Sequence, residues 1–367
     1  MFRLLRGGTK LYFKLLFWPF RSWKNFGRSV LWSLIIFYIT FTEIRFSYVT
    51  ERFGGYFKFF CSETLTTRGL KDKVVRIVGG LAEGSGFFVA DNQVLTSFHV
   101  IADEPSPKII FPDGTFKTPI QISGNKDADV ALLYLDNTYV DKVLDFTSPL
   151  YLSQNEPLLA AGYPFGTDLE GEATITKGIF NGIRGDEEFA VVQTNIALVE
   201  GMSGGPLVDA CGNVVGLNTA GLSGLYFFVS SDTIQSLWPT LTDADIAKIE
   251  VDPTASPADA VYAYYTYLKA RRMQEGYFLL SSNYLQKTNL EEWTNRFIDI
   301  LDVQIYLAEE VVGQSDRVFV KFSTKNWVSG NVEYHYYEGT WQTVLEDGVY
   351  KMDRSNIKEV LEPSWEW

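Results

Sequence analysis

The chain has 367 residues, 46% of them apolar, with 27 Phe, 20 Tyr and 9 Trp, and a net charge of −13. That length predicts at least two domains, and the apolar content supplies sizeable cores, which excludes a disordered chain. Residues 1–42 hold seven basic residues and no acidic one, so the remainder is more acidic still; such a body repels nucleic acid, and no nucleic-acid partner is expected.

Residues 1–28, with Arg3, Arg6, Lys10, Lys14, Arg21, Lys24 and Arg28, read as a basic cytoplasmic segment, and 29–49 as a transmembrane anchor. The uncharged run Ser29 to Phe41 is shorter than the roughly 20 residues a bilayer core requires. Extension to Val49 reaches that length and takes in Glu43 and Arg45 near one end, where they snorkel. The basic flank predicts a single-pass topology with a cytoplasmic N-terminus and an extracytoplasmic body. A cleaved signal peptide and an interfacial helix over Leu11 to Trp18 are the alternatives.

Residues 50–70 read as a connector. From 71 to 240, short apolar strands alternate with turns: Val74–Val78, Gly86–Val89, Val94–Thr96, Lys108–Phe111, Val130–Leu135 and Val214–Leu217. Pro112-Asp113-Gly114 and Cys211-Gly212-Asn213 supply turn signals, and the pattern predicts an all-β sandwich or pair of barrels. Residues 241–255 are a polar linker containing Pro253. Over 256–367, Ser256-Pro257-Ala258-Asp259 starts a helix expected to run to about Ser281. Thr288 to Glu291 has the spacing of a capping box, opening a second helix to about Leu301. Five strands are expected next: Val303–Val312, Arg317–Ser323, Asn331–Tyr337, Thr340–Glu346 and Gly348–Met352, the last two joined by a turn at Asp347-Gly348. Helices followed by a curled antiparallel sheet make an α+β domain.

Cys61 and Cys211 are too few for a disulfide scaffold; they either pair or are two unrelated thiols. With two histidines in the whole chain, no metal site and no cofactor are expected.

One histidine, His99, lies in Leu95-Thr96-Ser97-Phe98-His99-Val100 downstream of Gly84-Ser85-Gly86. Asp129 directly precedes the apolar run Val130 to Leu133, and Asp127 lies two residues before it. Ser203 lies in Gly201-Met202-Ser203-Gly204-Gly205-Pro206. A serine hydroxyl is a weak nucleophile at neutral pH and needs a base; imidazole suits that pH, and a carboxylate on its other nitrogen fixes the tautomer. His99, Asp129 and Ser203 are therefore the candidate catalytic triad, in one of the chain orders that serine hydrolases use. The glycines around Ser203 let the N–H groups of Gly201 and Ser203 converge as an oxyanion hole. His335, within Tyr334-His335-Tyr336-Tyr337, reads as a strand-surface or pocket residue.

Together these segments resemble the trypsin-like peptidases of the HtrA/Deg group, over roughly residues 75–235. Further likenesses are Ala161-Gly162-Tyr163-Pro164-Phe165-Gly166, Thr174-Ile175-Thr176-Lys177-Gly178-Ile179, Gln193-Thr194-Asn195-Ile196-Ala197 and Val215-Gly216-Leu217-Asn218-Thr219. The resemblance implies a double β-barrel with the active site between the barrels. It implies an endopeptidase acting on unfolded or exposed polypeptides through an acyl-enzyme, and it leaves homo-oligomers open. It also implies a primary specificity pocket near Ile196, Ala197, Leu198, Asn218, Thr219, Ala220 and Gly221; none of these is acidic, so a small or medium apolar side chain is expected there. Met202 stands where the group usually has Asn, and Glu200 where it often has Pro. No carboxylate-binding loop of the PDZ type follows. Residues 256–360 instead resemble, more weakly, the cone-shaped domains related to nuclear transport factor 2, which bind small molecules, partners or each other. A catalytically silent protease-like module used for binding or sensing is the alternative to an active enzyme.

Overall fold

The computed structural model describes residues 22–53, 61–80, 82–139, 143–169, 171–186, 188–222, 225–361 and 363–365; the side chains of 43–53, 220–222 and 225 lie outside that description. The chain divides into two units, one ending at Cys61 and one running from Ser62 to Trp367.

Within the first unit, Trp23–Phe53 is one 31-residue helix. Trp32, Leu34, Ile36, Phe37 and Ile39 are exposed along it. Among the described residues, no helix is long and apolar enough to cross a membrane. Residues 1–21 of the expected cytoplasmic segment, the Leu11 to Trp18 stretch and 54–60 of the connector lie outside the described residues. Both cysteines are disulfide-bonded.

The second unit opens with a short helix, Glu63–Lys71, and seven strands: β1 (Val74–Val78), β2 (Glu83–Ala90), β3 (Gln93–Thr96), β4 (Lys108–Ile110), β5 (Phe116–Lys117), β6 (Gln121–Asn125) and β7 (Val130–Tyr134). They form an antiparallel sheet in the order β5-β4-β1-β2-β3-β7-β6. The next six, β8 (Pro157–Gly162), β9 (Thr174–Gly185), β10 (Ala190–Thr194), β11 (Pro206–Val208), β12 (Val214–Leu222) and β13 (Leu225–Ser230), close into a barrel. One apolar core joins the two sheets, with Val74, Phe87, Leu95 and Leu132 from the first and Leu159, Val208, Leu217 and Val229 from the second. The short apolar runs read from the sequence become this core because their strands are buried on both faces.

β1 departs from alternation: all five of its residues, Val74-Val75-Arg76-Ile77-Val78, are buried. Val75 and Ile77 face the core of the first sheet, while Val78 joins Ile110, Leu301 and Trp327 in a cluster shared with the C-terminal region.

That region begins with the helix Pro257–Lys269. Ser256 caps it by accepting the Asp259 N–H at 3.1 Å. The expected run to Ser281 is broken into three, Pro257–Lys269, Met273–Phe278 and Ser282–Leu285. Arg271 makes the break by adopting φ +58°, from which its guanidinium donates to the carbonyls of Phe297 and Ile300. The second helix is also shorter than expected, Leu290–Asn295; its cap is Asn289, accepting from the Glu292 N–H at 3.0 Å, rather than Thr288.

Four long antiparallel strands follow in sequential order: β14 (Ile300–Val311), β15 (Gln314–Val328), β16 (Asn331–Glu346) and β17 (Val349–Glu359). β16 replaces two expected strands. Gly339, in the gap between those two, continues the strand at φ +154°, where a β-carbon would stand 2.1 Å from the Asn356 carbonyl oxygen. The helices pack Tyr264, Tyr265, Leu268 and Trp293 onto Val303, Val318, Val320, Phe322, Trp341 and Met352 of the sheet.

Candidate active site

His99 lies on a single helical turn, Phe98–Ile101, directly after β3. Phe98, Val100 and Ile101 anchor this turn in the core, leaving the His99 side chain 47% exposed. Asp129 occupies the β6–β7 turn at φ +56°, an uncommon conformation for a residue with a side chain and one found disproportionately at functional sites. Its carboxylate accepts the His99 backbone N–H at 2.9 Å and faces His99 Nδ1 at 2.8 and 2.9 Å. The Thr219 hydroxyl donates to its other oxygen. Burial works to raise the Asp129 pKa, but the His99 and Thr219 hydrogen bonds and the charge of His99 outweigh it and hold the carboxyl below its ordinary value. Asp127 is exposed on the same turn.

Ser203 belongs to the segment between β10 and β11. Its carbonyl accepts the Ser85 N–H at 2.8 Å, joining the segment to β2. Thr96 Oγ1 donates to the Ser85 carbonyl at 2.7 Å, and Ser97 Oγ donates to the Asn218 carbonyl at 2.9 Å. Ser203 is thereby stitched to the strand pair that ends three residues before His99.

The backbone before Ser203 is tightly held. Gly201 has φ +84°, and a β-carbon there would lie 2.3 Å from the Tyr163 carbonyl and 2.6 Å from the Phe165 nitrogen. Ser85 Oγ donates to the Gly201 carbonyl at 2.7 Å and accepts the Tyr163 N–H at 2.8 Å. The Phe165 N–H donates to the Glu200 carbonyl at 2.7 Å, and the Met202 N–H to the Val199 carbonyl at 3.1 Å. Among the described residues, the N–H groups of Gly201 and Ser203 enter no hydrogen bond.

The residues expected to line a specificity pocket divide. Ile196 is buried in the apolar interior of the closed barrel, with Leu198 and Tyr226 packed beside it. Ala197 is exposed. Asn218 is fully buried, and its amide donates to the carbonyls of Ala161 (3.2 Å) and Met202 (3.0 Å), so it braces the Ser203 segment. Thr219 serves Asp129. Ala220 and Gly221 continue β12, their side chains outside the described residues. His335 sits on β16 with its Nδ1 at 2.7 Å from a Glu359 carboxylate oxygen, part of the C-terminal sheet.

Two contributors escape a reading by motif. Ser85 was legible only as the centre of Gly84-Ser85-Gly86; a small hydroxyl between two glycines on a buried strand is the signal that its side chain has a backbone to bond. Thr219 differs from a pocket residue only by its place opposite the Asp129 turn, which spacing does not encode.

Residues 84–217 match the family model of the trypsin-like peptidase domain. The chain is 30% identical over 158 residues to Serine protease Do-like HtrA of Bacillus subtilis, covering 39% of this chain and 35% of that one. It is 31% identical over 165 residues to the mitochondrial serine protease HTRA2 of Bos taurus, covering 42% and 35%. It is 34% identical over 145 residues to a probable periplasmic serine endoprotease DegP-like of Bartonella henselae, covering 38% and 28%. The chain thus spans about a third of the length of the curated relatives it matches.

Proposed function

We propose that this trypsin-like peptidase domain hydrolyses peptide bonds of unfolded or exposed polypeptides by way of an acyl-enzyme, with His99, Asp129 and Ser203 as the triad. His99 Nε2 takes the proton of Ser203 Oγ as the oxygen attacks the scissile carbonyl. Asp129 holds the Nδ1–H tautomer and stabilises the imidazolium that forms. The unengaged N–H groups of Gly201 and Ser203 receive the oxyanion. The imidazole then protonates the leaving amine, and water repeats the sequence to release the acid. The observation that carries this reading is the His99–Asp129 pair, in which one carboxylate accepts both the backbone and the ring N–H of the same histidine.

The lack of an acidic residue in Ile196–Leu198 and Asn218–Gly221 supports a preference for a small or medium apolar side chain before the scissile bond. The exposed apolar residues along Trp23–Phe53, together with the basic residues before them, support a membrane tether with a cytoplasmic N-terminus and an extracytoplasmic protease body. The helices packed on one face of a long curled sheet support the reading of the C-terminal region as a cone-like domain.

Labelling with a fluorophosphonate tests the central claim. The wild type is expected to react and Ser203→Ala to remain unlabelled; a folded wild type that fails to react overturns the hydrolase reading in favour of a silent binding module.

A further inference from the structure

β15 presents Lys325 and Trp327 on one face, two residues apart, toward the peptidase domain. The Lys325 ammonium pairs with Glu83, the first residue of β2. The same carboxylate accepts the Thr167 N–H at 2.6 Å and the Thr167 hydroxyl at 2.8 and 2.9 Å. Thr167 belongs to the turn Tyr163 to Asp168, where Phe165 is itself at φ +59°. That turn carries the Phe165 N–H that holds the Glu200 carbonyl and shares Ser85 Oγ with the Gly201 carbonyl. The chain of contacts runs from the C-terminal sheet to the peptide whose N–H faces the developing oxyanion.

Trp327 reinforces the same turn from beside it. Its ring lies 5.4 Å from the Arg76 guanidinium carbon, which on its other side stands 4.4 Å from the Tyr163 ring. Arg76 also donates to the carbonyls of Leu169 (2.9 Å) and Gly171 (2.8 Å), and Trp327 Nε1 donates to the Gly114 carbonyl at 2.7 Å. Both ends of the turn are thus held by groups that the C-terminal sheet covers. Burial of the Lys325 ammonium disfavours its charge, but Glu83 outweighs this and raises its pKa, so the lysine stays charged at neutral pH.

We infer that Lys325 is a positioning residue for the reaction: through Glu83 and the Phe165-Gly166-Thr167 turn it fixes the Glu200–Gly201 peptide, making the C-terminal sheet part of the oxyanion-binding machinery. This inference rests on the peptidase reading above. In substrate terms the coupling acts on the transition state and not on the ground state, so it belongs to kcat.

The experiment uses the full chain and a chromogenic peptide with an apolar residue before the scissile bond. Lys325→Met is expected to lower kcat by about tenfold or more with KM little changed. Lys325→Arg restores kcat, and Lys177→Met, which breaks an exposed pair with Glu63, leaves it unaltered. Lys325→Gln keeps a donor for Glu83 and serves if the Met variant fails to fold; its loss is expected to be intermediate. Hydrogen exchange supplies a readout independent of turnover: peptides over 163–168 and 199–203 should exchange faster in Lys325→Met, and those over 125–130 should not. Unchanged kcat, a loss not rescued by Arg, or unchanged exchange at 199–203 overturns the inference. If the wild type neither cleaves nor labels, the hydrolase reading fails by itself, and exchange alone decides whether the sheet controls the Gly201 peptide.

Discussion

The carboxylate of Asp129 is held by three donors, two from His99 and one from Thr219. Asn in its place keeps the left-handed backbone but presents an amide that favours the wrong tautomer of the ring, so Asp129→Asn should lower kcat by about 10⁴-fold with little effect on KM. Steady-state kinetics checks this. Because the native pKa of Asp129 lies below its ordinary value of about 3.9, its ionised form contributes stability that is complete above that value. The contribution is lost as pH falls through the native pKa, so the gap in urea stability between wild type and Asp129→Asn should narrow as pH falls below about 4. Thr219→Val removes one donor; kcat should drop by about tenfold, and the pH at which activity falls on the acid side should move upward, as a pH profile would register. At this scale the sequence was most informative where chemistry needs a rare residue. His99 beside a buried strand and Ser203 in Gly201-Met202-Ser203-Gly204-Gly205 stood out, whereas Ser85 showed only as the centre of Gly84-Ser85-Gly86, and Asn218 and Thr219 only as expected pocket residues. Their work is to bond backbone or carboxylate atoms that are distant in the chain, and any small polar residue looks the same before folding.

Strands and helix starts were legible because their signals are local. Short apolar runs bounded by turns placed six of the thirteen strands between Val74 and Ser230, and Ser256-Pro257 placed a helix start to the residue. Element ends were less so. The helix from Pro257 stops at Lys269 because Arg271 turns aside to satisfy the carbonyls of Phe297 and Ile300, a demand set by tertiary structure. The two strands expected on either side of Gly339 are one, and the glycine lets β16 pass close to β17. Gly339→Ala should therefore destabilise the fold, by about 1–3 kcal/mol from overpacking against the Asn356 carbonyl, measurable as a lower midpoint in chemical denaturation. Asn289→Ala removes the cap of Leu290–Asn295 and should cost about 1 kcal/mol.

Across the whole second unit, Glu104 and Lys108 are buried at 0% and 1% side-chain exposure, 3.9 Å apart. Lys269, from the C-terminal region, lies 3.5 Å from Glu104 and 3.3 Å from Asp302. Burial pulls the Lys108 pKa down against the opposing pull of Glu104 and Asp302, so this lysine depends on its anionic neighbours. Glu104→Gln leaves two ammonium groups short of a partner and should cost about 3–5 kcal/mol. Calorimetry should show a lowered Tm, and with the cross-link weakened the peptidase domain and the C-terminal region should begin to melt separately. None of this network was visible in advance, since a charge run in sequence gives no sign that a distant segment will bury it.

β1 has no face left for water. The side that carries Arg76 and Val78 is roofed by Trp327 and Leu301, residues that lie more than two hundred positions later in the chain. A processed fragment ending near the linker would be born with that roof missing and an oily strand laid bare. Separated from residues 256–367, the remainder should therefore self-associate through this uncovered face, which size-exclusion chromatography would register.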